Sequence, residues 1–397
     1  MHLNRKDDNQ YYIMVVPFFP DEGSFRGSYI YDQAVAINEI ADLNLIIIKY
    51  VLIGKTKTYE FNGIFIHQLR LFEFPSFLFP GLFQSLNVLL VKKLLTRVLG
   101  IELNKIRYIH GHVAVLAGGI AVRLASEIGA KSIIQHHGFD ILGYTNGCFG
   151  LSSLRRLNKL WINKIYIKIL NEADLNIGVS RKTLEKLNNI DGFGYSKEYV
   201  LYNGVDKSKF YKKDGFDKGK SFNIGCIANF WEIKDQLTLI KAFYGFLKNN
   251  PNAEAVLRLV GEGPTLESCK EFVAEKKLGH RVTFISSIKH DDLLDFYNEL
   301  DLFILPSHYE AYGCVYVEAF ACGVPFIGVK DQGIEELLPE YLKDDYLVAK
   351  SDFTQLAVLI GKFHRREVVT PALLKSIDIR ELIADYLEYL YLELSDD

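Results

Sequence analysis

The chain has 397 residues, is 49% hydrophobic and 24% charged, and carries a net charge of −3. That length suits two domains of roughly 100–200 residues each, and the composition excludes a disordered, collagenous or coiled-coil protein. The near-neutral balance argues against a nucleic-acid binder, but residues 1–205 hold 23 Lys and Arg against 17 Asp and Glu, and the remainder 23 against 32. A basic first half and an acidic second half predict two units with different partners, an anionic surface or substrate being one candidate for the first.

Short apolar runs alternate with helical spacing along the chain. Lys6, Asp7 and Asp8 precede only the short run Tyr11–Phe19, which does not read as a signal peptide. Tyr12–Pro17 reads as a buried strand, Ser28–Ile40 as a helix, and Leu45–Tyr50 and Ile64–Leu69 as strands. Phe77–Val91 is the most apolar long stretch, but Pro80, Gly81 and polar residues interrupt it too early for a membrane span of roughly 20 residues. Tyr108–His110 and Lys131–His136 read as strands around an Ala/Gly-rich helix at Ala114–Ile128. Asp174–Val179 follows as a strand, with Ser180 placed to cap the next helix. The polar stretch Lys207–Lys220 reads as a linker or domain edge.

A second series then begins. Its strands are Phe222–Ala228, Ala255–Val260, Val282–Ile285, Leu302–Pro306 and Pro325–Val329. The helices between them are Asp235–Asn249, Thr265–Lys277, Asp291–Glu299 and Cys314–Cys322, and an amphipathic helix ends the series at Ile379–Leu394. Alternation of this kind implies right-handed crossovers and parallel sheets. The predicted class is α/β, with two doubly wound Rossmann-like domains, residues 1–205 and 206–378, facing across a cleft. The helix in 379–397 is expected to pack back on the first domain. In open sheets of this type, ligands bind at the carboxyl ends of the strands. The first strand is followed by no G-x-G-x-x-G, and no G-x-x-x-x-G-K-[ST] occurs, so dinucleotide oxidoreductases and P-loop NTPases lose support. Cys148, Cys226, Cys269, Cys314 and Cys322 form no C-x-x-C pair, a pattern of reduced thiols. The expectation is a cytoplasmic protein, at most peripheral on the inner face of the plasma membrane.

The most informative stretch is Ser307–Val329, SHYEAYGCVYVEAFACGVPFIGV. A strand ends before it, a loop carries Glu310 to Gly313, and a helix then starts with Glu318 in its first turns. Gly313 permits close approach to the backbone. The amides of Cys314 and Val315, at the positive end of the helix dipole, suit a phosphate. Carboxylates on either side suit hydroxyl groups, which donate to an ionised acceptor. Phosphate and sugar hydroxyls together point to a nucleotide sugar.

This run resembles the E-x7-E signature of the retaining glycosyltransferases of family 4, which have the GT-B fold. The resemblance recurs in order along nearly the whole chain. Gly27-Ser28-Tyr29 with Asp32-Gln33 is similar to the first-domain glycine loop, and His136-His137-Gly138-Phe139-Asp140 to the H-G-x-D segment. Ser180, Asn203-Gly204-Val205-Asp206 and Gly261-Glu262-Gly263-Pro264 complete the series. The resemblance implies that Glu318 binds donor ribose, that Glu310 binds hydroxyls of the donor sugar, and that amides near Gly313 and Cys314 hold the pyrophosphate. Lys234 would neutralise the departing diphosphate, with Gly27 facing it from the first domain and Ile288 offering main chain to the base. His137 would position the sugar and stabilise developing charge. His136 is its rival, because neighbours on a strand point to opposite faces. His137, Lys234 and Glu310 are thus the expected catalytic groups.

The pattern is broken at Asn229, five residues before Lys234, where the family usually has Arg. Asparagine brings neither charge nor a bidentate fork, so neutralisation would fall on Lys234, the helix end and a cation such as Arg26. No D-x-D occurs and the ten His form no ligand set, so neither a metal nor a cofactor is expected.

Leu151–Leu170 carries Arg155, Arg156, Lys159, Lys164 and Lys168 with Trp161 and Tyr166 and, before its end, no acid. Phe72–Phe83 adds five phenylalanines ahead of Lys92, Lys93 and Arg97. Both suit an interfacial helix and loop on anionic lipid; the alternative is an ordinary helix with a solvated basic face. The expected partners are a nucleotide sugar, a glycan or lipid-linked acceptor and, in the first reading, a membrane surface, with no nucleic acid. The sequence leaves open a second kind of GT-B enzyme, such as a nucleotide-sugar epimerase or a phosphorylase, and a non-catalytic binder.

Overall fold

The computed structural model describes residues 10–73, 80–141, 155–194, 196–215 and 219–394, with no side-chain description for 155–159 and 162. The chain forms two compact units, Met1–Asn203 with Ile379–Asp397, and Gly204–Asp378.

The first unit is built on an eight-stranded sheet. Its strands are β1 (Tyr11–Val16), β2 (Asn44–Val51), β3 (Lys57–Phe61), β4 (Ile64–Arg70), β5 (Ile106–His112), β6 (Lys131–His136), β7 (Leu175–Gly178) and β8 (Glu198–Val200), in the order β3-β4-β2-β1-β5-β6-β7-β8. Every neighbouring pair is parallel except β3 and β4. That antiparallel pair turns through Asn62 (φ 47) and Gly63 (φ 82), the Asn-Gly hairpin that matches strand twist. The helices are α1 (Ser28–Ile40), α2 (Gln84–Lys93), α3 (Gly119–Ile128), α4 (Arg155–Glu172) and α5 (Arg181–Asn188). Ser180 caps α5, its side chain accepting from the Thr183 amide. The helix expected from Ala114 starts as a wider turn and becomes regular only at Gly119.

In the second unit a six-stranded parallel sheet contains β9 (Phe222–Ile227), β10 (Ala255–Val260), β11 (Val282–Ile285), β12 (Leu302–Ile304), β13 (Phe326–Val329) and β14 (Leu347–Val348). Their order, β11-β10-β9-β12-β13-β14, reverses direction at β9, so β9 and β12 flank the switch point. The main helices are α6 (Gln236–Asn249), α7 (Leu266–Glu275), α8 (Leu293–Asn298), α9 (Cys314–Ala321) and α10 (Phe353–His364). The stretch read as a linker or domain edge, Lys207–Lys220, is mostly exposed where it is described, but it is anchored to this unit. Phe210 is buried, and Asn298 accepts from the Lys213 amide at 2.8 Å and donates to the Tyr211 carbonyl at 3.0 Å.

The last helix, α11 (Ile379–Leu394), belongs to the first unit. Ile379, Ile383, Tyr386, Leu390 and Leu394 recur at helical spacing and are all buried. They join Tyr12, Ile30 and Ile37 in one apolar core. Tyr386 Oη lies 2.9 Å from Tyr12 Oη.

The aromatic groups of α4 turn inward, against the expectation of an interfacial face. Tyr166 is buried with Ile169, Leu170 and Leu187, and Trp161 donates its indole N–H to the Pro80 carbonyl at 3.1 Å. Leu160, Lys164 and Lys168 occupy the exposed stripe. Phe74, Phe77, Phe79 and Cys148, and the side chains of Arg155, Arg156 and Lys159, lie outside the described residues. Among the described residues no helix is long and apolar enough to cross a membrane.

Truncating Ile383 to alanine leaves a cavity between α11 and the sheet. It should destabilise the first unit by about 2–4 kcal/mol, with Ile383→Val losing about 1 kcal/mol. Urea unfolding followed by a first-unit probe checks both values.

Candidate active site

At the carboxyl ends of β9, β10, β11 and β12 the second unit forms a cavity of about 410 Å³. Asn229, Lys234, Gly261, Ile288, Glu310, Gly313, Cys314 and Val315 all line it. Four loops therefore bring together residues spread over 87 positions of sequence, from Asn229 to Val315.

Two glycines make that convergence possible. Gly261 has φ +136°, and a Cβ there would lie 2.2 Å from the Ala228 carbonyl oxygen. The loop after β10 thus rests directly on the loop after β9, and the Phe230 amide donates to the Glu262 carbonyl at 2.9 Å. Gly313 has φ +83°, and a Cβ there would meet the Tyr316 ring at 2.7 Å. Tyr316 cannot give way, because it is fully buried and its hydroxyl donates to the Leu305 carbonyl at 2.7 Å. Gly313 opens α9, so the positive helix end lies at the cavity.

Lys234 and Glu310 form an ion pair whose side chains are only 20% and 11% exposed. Lys234 is the one cation among the lining residues. Glu318 does not line the cavity. It lies further along α9, where the fully buried Tyr297 hydroxyl donates to its Oε2 at 2.7 Å. Burial, and then the Glu318 charge, push the Tyr297 phenol far up, so it remains a donor. Tyr297 was not readable from sequence, because its partner sits on another helix 21 residues away.

The remaining two residues, Gly27 and His137, lie in the first unit. Gly27 (φ +92°) precedes α1, and the Tyr29 ring that follows sits 5.1 Å from the His137 ring. His137 Nε2 is 2.9 Å from His112 Nδ1, and their rings stack. His112 in turn stacks on His110 at 4.4 Å, and His110 Nδ1 is 2.8 Å from Tyr12 Oη. His136 is the core histidine, with Asp140 Oδ2 at 3.0 Å and Asn176 Oδ1 at 3.1 Å. Asp140 Oδ1 accepts from the His137 amide at 3.1 Å and so orients the turn. Burial raises the Asp140 carboxyl, but His136 and His137 outweigh it and hold it below the usual range. Arg26 stacks on Phe18.

The profile described as Glycosyltransferase Family 4 matches residues 51–209, and that described as Glycosyl transferases group 1 matches residues 207–370. The chain belongs to the family 4 glycosyltransferases. It is 31% identical over 165 residues to the N-acetyl-alpha-D-glucosaminyl L-malate synthase of Bacillus anthracis, covering 40% of this chain and 42% of that one. It is 26% identical over 254 residues to a GDP-mannose-dependent alpha-(1-6)-phosphatidylinositol monomannoside mannosyltransferase of Mycolicibacterium smegmatis, covering 60% and 62%. The chain thus spans less than two thirds of both relatives. A sucrose-phosphate synthase structure from Thermosynechococcus elongatus superposes with a TM-score of 0.70 at 19% identity, over 97% of this chain and 99% of that one. That likeness is one of fold, the GT-B class.

A larger groove of about 870 Å³ in this glycosyltransferase lies beside α2, α3 and α4, but holds none of the residues that the sequence singles out as site residues. Among the described residues no three His, Cys, Asp or Glu side chains are grouped to hold a metal ion.

Burial pushes His110 down to about 3 and His137 to about 4, and takes His112 well below its ordinary value. Unfolded imidazoles take up protons near 6.5. Between about pH 6.5 and 4 the unfolded chain therefore binds more protons, and stability falls with acidification by up to about 1.4 kcal/mol per pH unit for each histidine. Urea midpoints of the first unit should drop from pH 7 to pH 5, and drop less in His137→Asn.

Proposed function

We propose that this glycosyltransferase moves a hexose-type sugar from a nucleotide-diphosphate sugar to a glycan or lipid-linked saccharide, in cell-surface polysaccharide or glycolipid synthesis. Anomeric configuration is retained and no metal is essential. The observation that carries this reading is the cavity at the β9/β12 switch point, where Lys234, Glu310 and the Gly313-led start of α9 converge. A helix N-terminus and one ammonium suit a diphosphate. A carboxylate beside them suits sugar hydroxyls. The relative from Mycolicibacterium, by its name, uses GDP-mannose and a phosphatidylinositol-linked acceptor, which supports both a nucleotide donor and a lipid-linked acceptor.

The proposed step is a same-face displacement. The bond from C1 to the diphosphate oxygen breaks and a bond from C1 to the acceptor oxygen forms. The acceptor proton passes to the leaving phosphate oxygen. Charge builds on the diphosphate as it leaves, and Lys234 and the helix end act there more strongly than in the ground state. Glu310 exchanges Lys234 for donor hydroxyls. Glu318, held by Tyr297, takes the ribose, and the Ile288 main chain takes the base. Asn229 contributes a hydrogen bond without charge. By the resemblance the amides of the Gly27 loop would serve the diphosphate, and neutral His137, whose Nε2 is engaged by His112, would position the sugar through Nδ1 alone.

Purified protein with a panel of nucleotide sugars, in chelator, should release one nucleotide diphosphate, detected by mass spectrometry. Lys234→Ala should lose that release by about 10²–10³-fold, and Glu318→Ala should lose donor affinity. Donor converted with no acceptor and no diphosphate would instead mean an epimerase. Binding without turnover with any acceptor would mean a binder.

A cytoplasmic location on the inner membrane face fits a lipid-linked acceptor, and the exposed stripe of Leu160, Lys164 and Lys168 supports it. Replacing both lysines with Glu should abolish sedimentation with anionic liposomes while nucleotide binding stays unchanged. Equal sedimentation of the variant would remove the membrane surface from the reading.

A further inference from the structure

The loops carrying Lys234 and Glu310 are joined by more than their ion pair. The His308 amide donates to the Ile233 carbonyl at 2.7 Å, which brings the chain after β12 onto the residue preceding Lys234. The His308 ring turns the same way. Its Nε2 lies 2.8 Å from Asp235 Oδ2 and 3.0 Å from Ser351 Oγ. Ser351 donates to the same Oδ2 at 3.2 Å. The other oxygen, Oδ1, accepts from the Thr238 amide at 3.4 Å and caps α6. One carboxylate therefore ties together the loop after β9, the loop after β12 and the turn between β14 and α10. A carboxylate oxygen only accepts, so His308 Nε2 carries a proton and donates to Oδ2. Asp235 (φ 48) and Ser351 (φ 60) both hold left-handed backbone, a conformation that non-glycine residues keep where their surroundings fix it.

The arrangement has a consequence for Lys234. The Lys234 ammonium is held by Glu310. A diphosphate that takes the ammonium from Glu310 breaks the side-chain link between the two loops. The His308–Asp235 bond does not involve either group and stays.

We propose that His308 is a positioning residue for Lys234, holding its loop against the Glu310 loop so that the ammonium keeps its aim at the diphosphate once Glu310 has been displaced. The inference rests on the donor-site reading. It adds a residue that touches no substrate and acts through Asp235, next in sequence to Lys234.

The test separates aim from folding by comparing a nucleoside diphosphate with its monophosphate. In the donor-site reading Lys234 acts on the charge that builds on the departing phosphate, which a monophosphate lacks, so a loosened loop should weaken only the diphosphate. Titration calorimetry with UDP, UMP, GDP and GMP on the full chain gives the ratio of affinities. His308→Ala should lower diphosphate affinity by about tenfold, the scale of one weakened hydrogen bond to a charged group, and leave the monophosphate unchanged. His308→Gln keeps a donor near the place of Nε2 and should restore the ratio. On a Lys234→Ala background, His308→Ala should add no further loss, because it acts through the missing group. Equal weakening of both nucleotides, failure of Gln to rescue, or an additive loss with Lys234→Ala would overturn the inference. If the unaltered protein binds none of the four nucleotides, the donor-site reading itself falls, and this inference with it. Thermal midpoints of His308→Gln and Asp235→Asn, close to that of the unaltered chain, show that the comparison is made on folded protein.

Discussion

The Lys234–Glu310 ion pair is the interaction on which the second unit's cavity depends. Both groups are largely withdrawn from water, and each would be costly to leave unpaired there. The pair holds two loops together. In the proposed donor site it also stores the two charges that a sugar diphosphate needs, and binding would not have to desolvate a bare ammonium or a bare carboxylate, because the exchange replaces one partner by another. The backbone beneath is correspondingly closely packed. At Gly261 the loops after β9 and β10 approach so closely that no side chain fits between them. Gly313 brings α9 to the same place over the fixed Tyr316 ring.

The first unit uses the opposite electrostatics. His110, His112 and His137 are stacked and held neutral by burial. The aligned rings end at Tyr12, whose hydroxyl also meets Tyr386 of the last helix. The C-terminal helix thus does more than cover an apolar face, since it completes the polar packing behind His137. In the proposed reaction, a neutral imidazole at His137 would orient a ligand without adding a charge to be balanced.

Legibility in the sequence followed burial and range. β1, β10, β11, α1 and α11 were readable, since each is an apolar run or stripe of ordinary length set off by polar residues. β8 and β14 have three and two residues, too few for a period to show. β3 carries Lys57 and Glu60 on an exposed edge, although its Asn62-Gly63 turn was a usable signal. α2 was hidden in an apolar stretch that the interrupting Pro80 and Gly81 made look irregular. In the site, Glu310, Gly313 and Cys314 were legible because a single loop and helix fix their spacing. Tyr297 and His308 were not, because each acts on a partner from a different element, 21 and 73 residues away. Tyr166 is buried, as the alternative of an ordinary helix packed through its apolar stripe requires, because a charged helix can still bury one aromatic stripe.

Asn229 changes how the parts must share the work. In the family pattern a second cation usually stands at this position, and two cations can tolerate small errors in either. Here the cavity lining holds Lys234 alone. The α9 dipole adds partial positive charge, but its effect is confined to the first turn and cannot follow a moving ligand. A fixed ammonium favours the transition state only while its distance to the growing charge stays short, since the interaction falls with separation. A site with one side-chain cation in its lining therefore depends more heavily on whatever holds that cation's loop in place. Asp235, one residue beyond Lys234 and bound on two sides by His308 and Ser351, stands where such a constraint is needed.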